Sequence, residues 1–395
     1  MSITLNNMLT HVSTTLSTLN ESLMHVEEQT SSGSRINSIS DAPADAYSVL
    51  NLNNELSSLS QYSDNVSEIM EMLESTSTTL DSISDELTDC QTLLTQILGG
   101  IYDDQNKSTM GDTINEHLEQ LVQLANTEYV NQYLFGGTST SSAPYSTTRD
   151  TDGNITSVNY QGSNSQRTVQ IGDNVDVNLF LVGDRAFTSD DRQDGEYVLD
   201  NTGSALGTGT SNATGCVWIT VTEDEFGDLY ISANDGTAVL VDTSDNNMAL
   251  TTADGETIYI DATNITGAGT DLVSFPGTYN MFETLIDIRD ILNNSMNLST
   301  ADQTTALEAA SDWIGEIGEL IIYAESAAGA KTSYLENYQT HLEDMDYILD
   351  KEVKRIGNAD LTQLAVDLAE LETLYEMSLS VASKLLSLSL LDFIR

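Results

Sequence analysis

Basic residues are scarce in this chain. Its 13 lysines and arginines face 62 aspartates and glutamates, which gives a formal net charge of −49 at pH 7. A surface of this sign repels nucleic acid and anionic lipid, so we expect neither as a partner. Two explanations of the acidity stay open: plain solubility, or work in a saline medium, where a Debye length of about 3 Å at 1 M salt relaxes the self-repulsion.

Cysteines, aromatic residues and long apolar runs are also few. Two cysteines, Cys90 and Cys216, are too few for a disulfide framework, and we expect two buried thiols. No stretch of about 18 consecutive apolar residues occurs, so no membrane-spanning helix is expected. Residues 1–10 lack the basic and apolar parts of a signal peptide, which predicts either a cytoplasmic protein or export without a cleaved signal.

Both ends of the chain carry apolar residues in steps of three and four, the spacing of a coiled-coil helix. The N-terminal series is Leu5, Leu9, Val12, Leu16, Leu19, Leu23 and Val26. The C-terminal series is Leu361, Leu364, Leu368, Leu371, Tyr375, Leu379, Ala382 and Leu386, followed by an almost wholly apolar segment with Leu390, Leu391 and Phe393. We expect these two apolar seams to pack together and against neighbouring subunits. The alternative is an intramolecular coiled coil in a stable monomer.

Longer series of the same spacing flank the middle of the chain. One covers residues 52–97, includes Met70, and stops at the glycine pair that begins with Gly99. A further helix is expected over residues 114–134. The cleanest series predicts a single helix over residues 302–356, about 80 Å long at 1.5 Å per residue, which favours a rod.

The composition changes between Pro144 and Pro276, where Gly, Thr, Asn and Asp dominate and short β-type runs lie beside Asp-Gly turns. The expected fold is mainly α with an inserted β domain, and the N- and C-terminal segments form a long antiparallel helical rod or coiled coil. Three parts are predicted: a terminal helical assembly domain (1–44 and 358–395), a helical rod domain (45–142 and 277–357) and an outer β domain (143–276).

No group of residues indicates catalysis. The four histidines lie on predicted helices without metal-binding spacing: His11, His25, His117 and His341. No phosphate-binding loop or nucleophile elbow is present, and the acidic turns at 150–154 and 190–196 lack a full calcium loop. We therefore expect no enzyme, no cofactor and no metal.

Two terminal motifs carry a family resemblance. Residues 31–38 and 41–44 resemble the N-terminal motif of the flagellin superfamily, and residues 381–385 and 388–393 resemble its C-terminal motif. The N-terminal motif residues are Ser32, Gly33, Arg35, Ile36, Asn37, Asp41 and Pro43. The sequence departs from the usual pattern at Ser34, where a bulky or basic residue is common, and at Asp45, which is often glycine.

Within the superfamily the chain is most similar to the hook-associated protein 3 family of junction proteins, through residues 126–138, 160–162 and 170–172. The resemblance covers about residues 1–187 and 279–395. It implies a structural component of the bacterial flagellum that adapts the hook to the filament.

The resemblance also implies partners and a location. They are an export chaperone inside the cell, then copies of the chain itself in a helical ring outside it, between hook-associated protein 1 and flagellin. Two alternatives stay open: a filament flagellin, and a β-domain adhesin or glycan-active enzyme on a helical stalk.

Overall fold

Helices make up 55% of the chain. The computed structural model describes the backbone of residues 2–178 and 181–393 and the side chains of residues 7–178 and 181–387. Within that part the helices are α1 (Ser2–Ser32), α2 (Pro43–Gly99), α3 (Asp104–Ala125), α4 (Gly183–Phe187), α5 (Met281–Leu292), α6 (Thr300–Gly357) and α7 (Leu361–Phe393). The single helix predicted over residues 302–356 is confirmed by α6, and the predicted stop at Gly99 by the end of α2.

Packing divides the chain into two units. Unit 1 comprises Met1–Asp64 and Tyr338–Arg395, and unit 2 comprises Asn65–Asn337. Helices α2 and α6 each contribute residues to both units. The three-part division made from the sequence stays a prediction.

In unit 2, helix α2 buries a seam of strict heptad spacing. The seam consists of Val66, Ile69, Leu73, Thr76, Leu80, Ile83, Leu87, Cys90, Leu94 and Ile97. The predicted series was wrong at one turn, where Ile69 is buried and Met70 only half-buried. Ile69 keeps the seven-residue period that holds a seam against its partner helices, and Met70 does not.

Helix α6 buries a matching seam in the same unit. The buried positions, again in steps of three and four, are Gln303, Leu307, Ala310, Ile314, Ile317, Ile321, Ala324, Ala328 and Leu335. One position of this series, between Ala328 and Leu335, is not fully buried, and Lys331 occupies it. The Nζ of Lys331 donates to the carbonyl of Asn178 at 3.3 Å. Burial lowers the pKa of Lys331. Helix α3 lies beside both helices, because His117 pairs with Glu86 of α2 at 2.6 Å and Lys107 donates to Gln303 of α6 at 2.6 Å.

The two cysteines are free and buried, as predicted. Cys90 occupies a position of the α2 seam, where burial, with nearby Glu86 and Asp89, raises the pKa of its thiol to about 12. Cys216 is buried in β9, and burial likewise raises its pKa. Both thiols therefore stay protonated at neutral pH and pack as small apolar groups.

The helix predicted to reach residue 134 ends at Ala125 instead. The Asn126 side chain is engaged with the backbone of Tyr145, accepting its N–H at 2.9 Å and donating to its carbonyl at 3.0 Å. The chain then forms a hairpin of strands β1 (Glu128–Tyr129) and β2 (Gln132–Tyr133). The side chain of Asn126 thus forms hydrogen bonds with a distant segment of backbone, and the helix ends here and does not continue for another turn.

The predicted β insert is confirmed, and most of it forms two antiparallel sheets. After β2 the strands are β3 (Tyr145–Arg149), β4 (Ile155–Tyr160), β5 (Thr168–Gly172), β6 (Val175–Asn178), β7 (Glu196–Leu199), β8 (Ala205–Leu206), β9 (Gly215–Glu223), β10 (Leu229–Ala233), β11 (Val239–Leu240), β12 (Met248–Thr251), β13 (Thr257–Asp261) and β14 (Gly269–Phe275). One sheet has the order β11-β10-β9-β14-β7 and the other β12-β13-β8, while β3-β4 and β5-β6 are separate hairpins.

The two sheets share one apolar core. Its members alternate along the strands of both sheets: Val217, Ile219, Val221, Ile231, Ala233, Met248, Leu250, Ile258, Ile260, Val273 and Phe275. Alternation of this kind places one face of each sheet on the shared core. The opposite face of β9 and β14 is buried as well, at Cys216, Trp218 and Leu272. The insert therefore carries its own core within unit 2.

Aromatic rings connect the start of the β insert to the helices. Phe135 packs on Phe187 of α4 with ring centroids 4.9 Å apart, and Tyr145 of β3 packs on Phe282 of α5 at the same distance. The centroids of Phe187 and Phe282 are 6.0 Å apart, so the four rings form one tilted cluster. Such pairs stabilise a fold beyond the area they bury.

A buried arginine makes the second connection. Arg289 of α5 donates to the carbonyl of Ile155 in β4, to Asn115 Oδ1 of α3 at 3.0 Å and to Asp290 Oδ1 at 2.8 Å. Its side chain is almost fully enclosed. One guanidinium therefore joins a strand and two helices.

The predicted fold class is confirmed: long N- and C-terminal helices enclose an inserted β-rich region in the sequence. Among the described residues, no helix combines the length and apolar character needed to cross a membrane.

The Arg289→Ala variant is expected to lower the free energy of unfolding of unit 2 by about 3 kcal/mol. The buried carbonyl of Ile155 and the amide of Asn115 would lose their donor and leave unpaired polar groups inside the fold. Both tryptophans, Trp218 and Trp313, lie in unit 2, so urea unfolding followed by tryptophan fluorescence measures this loss.

Arg149→Ala serves as the matched control. Arg149 pairs with Glu119 at a half-exposed site, where an ion pair contributes at most about 1 kcal/mol. Equal losses in the two variants would contradict the connecting role of Arg289.

The Val130→Asn variant is expected to raise the free energy of unfolding by about 1 kcal/mol. Val130 has φ 48° in the β1–β2 turn, a left-handed conformation that is unfavourable for a β-branched residue and tolerated by asparagine. Thermal unfolding measures the gain. Val130→Thr keeps the branched Cβ and is expected to leave the midpoint unchanged, and an equal gain in that variant would rule out backbone strain as the cause.

Candidate assembly interface

Helices α1 and α7 pack against each other in unit 1. They run antiparallel, because α1 ends and α7 begins beside the antiparallel bridge between Ser34 and Asn358. Asp360 caps the start of α7 by accepting the backbone N–H groups of Thr362 at 3.0 Å and Gln363 at 3.2 Å. The two ends of the chain are thus brought together, as their apolar seams predicted.

Most of the predicted seam residues lie on the less exposed face of their helix. On α1 all those with described side chains are half-buried: Leu9, Val12, Leu16, Leu19, Leu23 and Val26. On α7, Leu364 is buried and Leu368, Leu371 and Tyr375 are half-buried. The side chains of Leu5, Leu390, Leu391 and Phe393 lie outside the described residues. Contact of these residues with neighbouring subunits stays a prediction.

Three predicted α7 residues lie instead on the exposed surface: Leu361, Leu379 and Leu386. Beyond Tyr375 the half-buried positions are Ser378, Ala382 and Leu385. These continue the steps of three and four from Leu364, whereas Leu379 and Leu386 are displaced by one residue. Beyond Tyr375 the α1–α7 contact therefore uses Ser378, Ala382 and Leu385 and leaves Leu379 and Leu386 in solvent.

A backbone clasp, formed by Gly33, Arg35, Gly357 and Ala359, joins the ends of four helices. The N–H of Arg35 donates to the carbonyl of Gly357 at 2.7 Å, and the N–H of Ala359 donates to that of Gly33 at 3.0 Å. Gly33 has φ 68°, a left-handed conformation that commonly terminates a helix and that glycine adopts without strain. The clasp sets where α1 stops relative to the start of α7.

Arg35 reinforces the clasp with its side chain. Its Nε and one terminal nitrogen donate to the carbonyl of Ile356 at 3.2 and 2.9 Å, at the C-terminus of α6, where a cation is favourable. The same nitrogen lies 2.6 Å from Asp45 Oδ2, in the first turn of α2. Asp45, which stands where the family motif often has glycine, thus gives Arg35 an acidic partner. Ser34, the other departure, donates its hydroxyl to Gly357 O at 3.2 Å.

Asp41 organises the rest of the motif loop. Its Oδ2 accepts the backbone N–H groups of Ser38 at 2.8 Å and Asn37 at 3.0 Å. Hydrogen bonding from Ser38, more than that from Asn37, lowers the pKa of Asp41. Asn37 Oδ1 accepts the Ser32 hydroxyl at 2.8 Å, and Pro43 is the first residue of α2, where its missing N–H costs nothing. Six of the seven motif residues therefore have a defined role at this helix junction, and the seventh, Ile36, is half-buried beside them.

Sequence reasoning missed the partners on the other side of the clasp: Asp45, Ile356, Gly357 and Ala359. The sequence around residues 357–360 does carry a signal, because a glycine after a helical series followed by an aspartate marks a helix stop and a new N-cap. Nothing local to residues 35 and 356 indicates that they meet.

The outer faces of α1 and α7 keep apolar side chains in solvent. They include Met8, Met24, Val366, Leu374, Met377, Leu379, Val381 and Leu386. Toward the two chain ends formal charge is almost absent: residues 1–20 contain no Lys, Arg, Asp or Glu, and residues 377–391 contain only Lys384, whereas acids occur in α1 from Glu21 onward and in α7 as far as Glu376. Apolar exposure next to segments almost without charge is typical of a site that another protein covers. In the described part of the chain, no group of three or more His, Cys, Asp or Glu could hold a metal ion.

Comparison with known proteins identifies a related family and fold. Residues 3–140 match the family described as the bacterial flagellin N-terminal helical region, a range that includes α1, the motif loop, α2 and α3. No curated protein matches the chain.

Several solved structures share the fold. The flagellar hook-associated protein 3 of Legionella pneumophila is 16% identical with a TM-score of 0.54, over 78% of this chain and 98% of that one. FlgL of Xanthomonas campestris is 19% identical with a TM-score of 0.51, over 77% and 99%. The flagellar junction protein FlgL of L. pneumophila is 16% identical with a TM-score of 0.50, over 78% and 99%. The resemblance inferred from the motifs is confirmed.

The Gly33→Ala variant is expected to destabilise the α1–α7 pair by about 1 kcal/mol. An added Cβ would have no atom within 4 Å, so the cost comes from the left-handed backbone alone. Hydrogen exchange of the α1 amides measures the loss. Gly357→Ala is the matched control, because that site is equally open and needs no positive φ; a similar loss there would show that Gly33 is not needed for its conformation.

Proposed function

We propose that this chain, which shares its fold with hook-associated protein 3 and carries a flagellin-type N-terminal region, is a junction protein that adapts the flagellar hook to the filament. It is a structural component of the bacterial flagellum in this proposal, and it acts outside the cell. The observation that carries the proposal is the surface of α1 and α7, which the fold leaves apolar and uncovered.

The energetics of a helix pair support an assembly role. Two helices that bury one seam each gain little stability by themselves, because most helical stability comes from tertiary packing of an apolar face. Among the predicted α7 seam residues whose side chains the structure describes, Leu364 alone is buried, and the others are half-buried or exposed. Packing against other subunits supplies the missing burial. Contacts between different faces of identical subunits generate an open helical array when the rotation between subunits does not close into a ring.

The distribution of charge supports the same role. All acidic residues except Asp392 lie between residues 21 and 376. Subunits with a formal charge of −49 repel one another, and the repulsion is weakest where the contact surfaces carry no charge. The two ends of the chain are therefore the segments that can meet at the smallest electrostatic cost.

The partners follow from the proposed role. They are copies of the chain in a helical ring, hook-associated protein 1 on the hook side and flagellin on the filament side. An export chaperone covers the C-terminal segment before export, because that segment is apolar on nearly every face and needs a partner in the cell.

The double variant Leu379→Glu, Leu386→Glu is expected to reduce assembly at least about tenfold, because each contact would bury a carboxylate without a partner. Both leucines are exposed in the single chain, so its folding should not change. Sedimentation of the full chain is measured at low and high salt, with a hook base and flagellin supplied, and circular dichroism checks the helix content. High salt should favour assembly of the unaltered chain by screening its acids.

The double variant Ile101→Glu, Phe226→Glu is the matched control, since it places the same two charges on exposed apolar residues outside the terminal helices. Normal assembly of the double variant would contradict the proposed interface. Long filaments formed by this chain alone would favour a filament flagellin, and a protease-resistant monomer that never assembles would favour a closed intramolecular coiled coil.

A further inference from the structure

The chain cannot neutralise its own acids. Even if each basic residue paired with one acid, the excess of acids that gives the formal charge of −49 would have no basic partner. The ion pairs of the described side chains engage Asp45, Glu86, Glu119, Asp290, Asp350 and Glu352. Most of the negative charge must therefore be screened by ions from the medium.

Several basic side chains of unit 2 bind neutral groups and not acids. Lys107 donates to the amide oxygen of Gln303 at 2.6 Å, and Lys331 donates to the carbonyl of Asn178 at 3.3 Å. The two terminal nitrogens of Arg192 donate to backbone carbonyls at 2.7 and 3.0 Å. Packing and hydrogen bonding hold these three cations in place, which leaves fewer of the 13 basic residues to pair with acids.

Carboxylates from two helices meet within unit 2. Glu325 of α6 lies within hydrogen-bonding reach of Asp81 of α2. Desolvation, followed by the charge of Asp81, raises the pKa of Glu325. Two carboxylates this close repel each other unless a proton or a mobile cation lies between them. Their contact therefore opposes the packing of the two helices when the ionic strength is low.

A second group of carboxylates lies where α5 packs on β9. Glu283 and Asp287 are four residues apart on α5, a spacing at which like charges destabilise a helix. Burial, followed by the charges of Glu283 and Asp290, raises the pKa of Asp287. The carboxylate of Glu256, in the insert, lies close enough to act on Glu283. Nearby Arg289 already donates to Asp290 and to two neutral groups, so the helix and the insert meet through acids that repel one another.

We propose that unit 2 is a salt-dependent fold, whose stability requires small cations at high concentration to screen these opposed carboxylates. Of the two explanations of the acidity, the saline medium is then the correct one. The Debye length is about 10 Å at 0.1 M salt and about 3 Å at 1 M, and only the shorter length weakens the repulsion between groups in contact. The property belongs to the fold of the single chain, so it goes beyond the junction role and does not depend on it.

The test is thermal unfolding of the full chain between about 0.05 and 2 M NaCl. The fluorescence of Trp218 and Trp313, both in unit 2, follows the transition. The midpoint is expected to rise by at least about 10 °C, with most of the gain below about 1 M. An unchanged or falling midpoint would overturn the proposal. So would a gain that sucrose of equal osmotic pressure reproduces, because exclusion of solutes from the protein surface would then be its cause.

Glu325→Gln removes one of the two opposed carboxylates between α2 and α6. It is expected to raise the midpoint by about 3 °C more at low salt than at about 2 M, where the repulsion is already screened. Glu319→Gln is the matched control, because it removes the same charge at an exposed site on the same helix. Equal differences in the two variants would mean that net charge alone matters, and would overturn the role of the opposed carboxylates.

Assembly also raises a midpoint, because a partner that binds the folded chain stabilises it. The same salt series on the L379E/L386E chain separates the two effects. A gain that this chain retains, and that does not change with protein concentration, supports the salt-dependent fold whether or not the junction role holds. A gain confined to the unaltered chain would belong to assembly, and would overturn this proposal while leaving the junction role intact.

Discussion

The clasp between the end of α1 and the start of α7 is the contact on which unit 1 depends. Helix ends leave backbone N–H and C=O groups without intrahelical partners, and four such ends meet here. The clasp pairs two of these groups with backbone, and Arg35 satisfies a third at Ile356 while its charge is balanced by Asp45. Because α6 and α7 are separated by only three residues, fixing this point sets the direction in which α7 returns along α1.

Arginine performs a similar task elsewhere in the chain. Arg149 donates to the carbonyl of Gly153, Arg192 to those of Ser211 and Ala213, and Arg289 to that of Ile155. Each guanidinium has five donors in a rigid plane, so one side chain can hold a loop carbonyl and a second group together. In a chain with so few basic residues, several of them serve as connections between segments that are distant in sequence. Their removal would cost packing as well as charge.

The acidic surface and the uncharged ends are two aspects of one constraint. A strongly charged subunit stays soluble as a monomer, and the same charge opposes assembly. In the proposed assembly, concentrating the acids in the middle of the chain leaves the contacts at its ends to apolar packing, which salt does not weaken. The β insert keeps a core of its own within unit 2.

The sequence by itself determined the helices, the existence of the β insert and the family motifs. A seven-residue period is a local property, and the buried seam of α2 follows it throughout, while that of α6 follows it except at Lys331. Only the tertiary structure decided that Asp45 would face Arg35, that Asp271 would accept the N–H of Thr202, and that α3 would stop at Ala125 for the pairing of Asn126 with Tyr145. These contacts join residues whose partners no local pattern specifies. Their geometry exists only after the long-range packing of helices and sheets has brought the residues together.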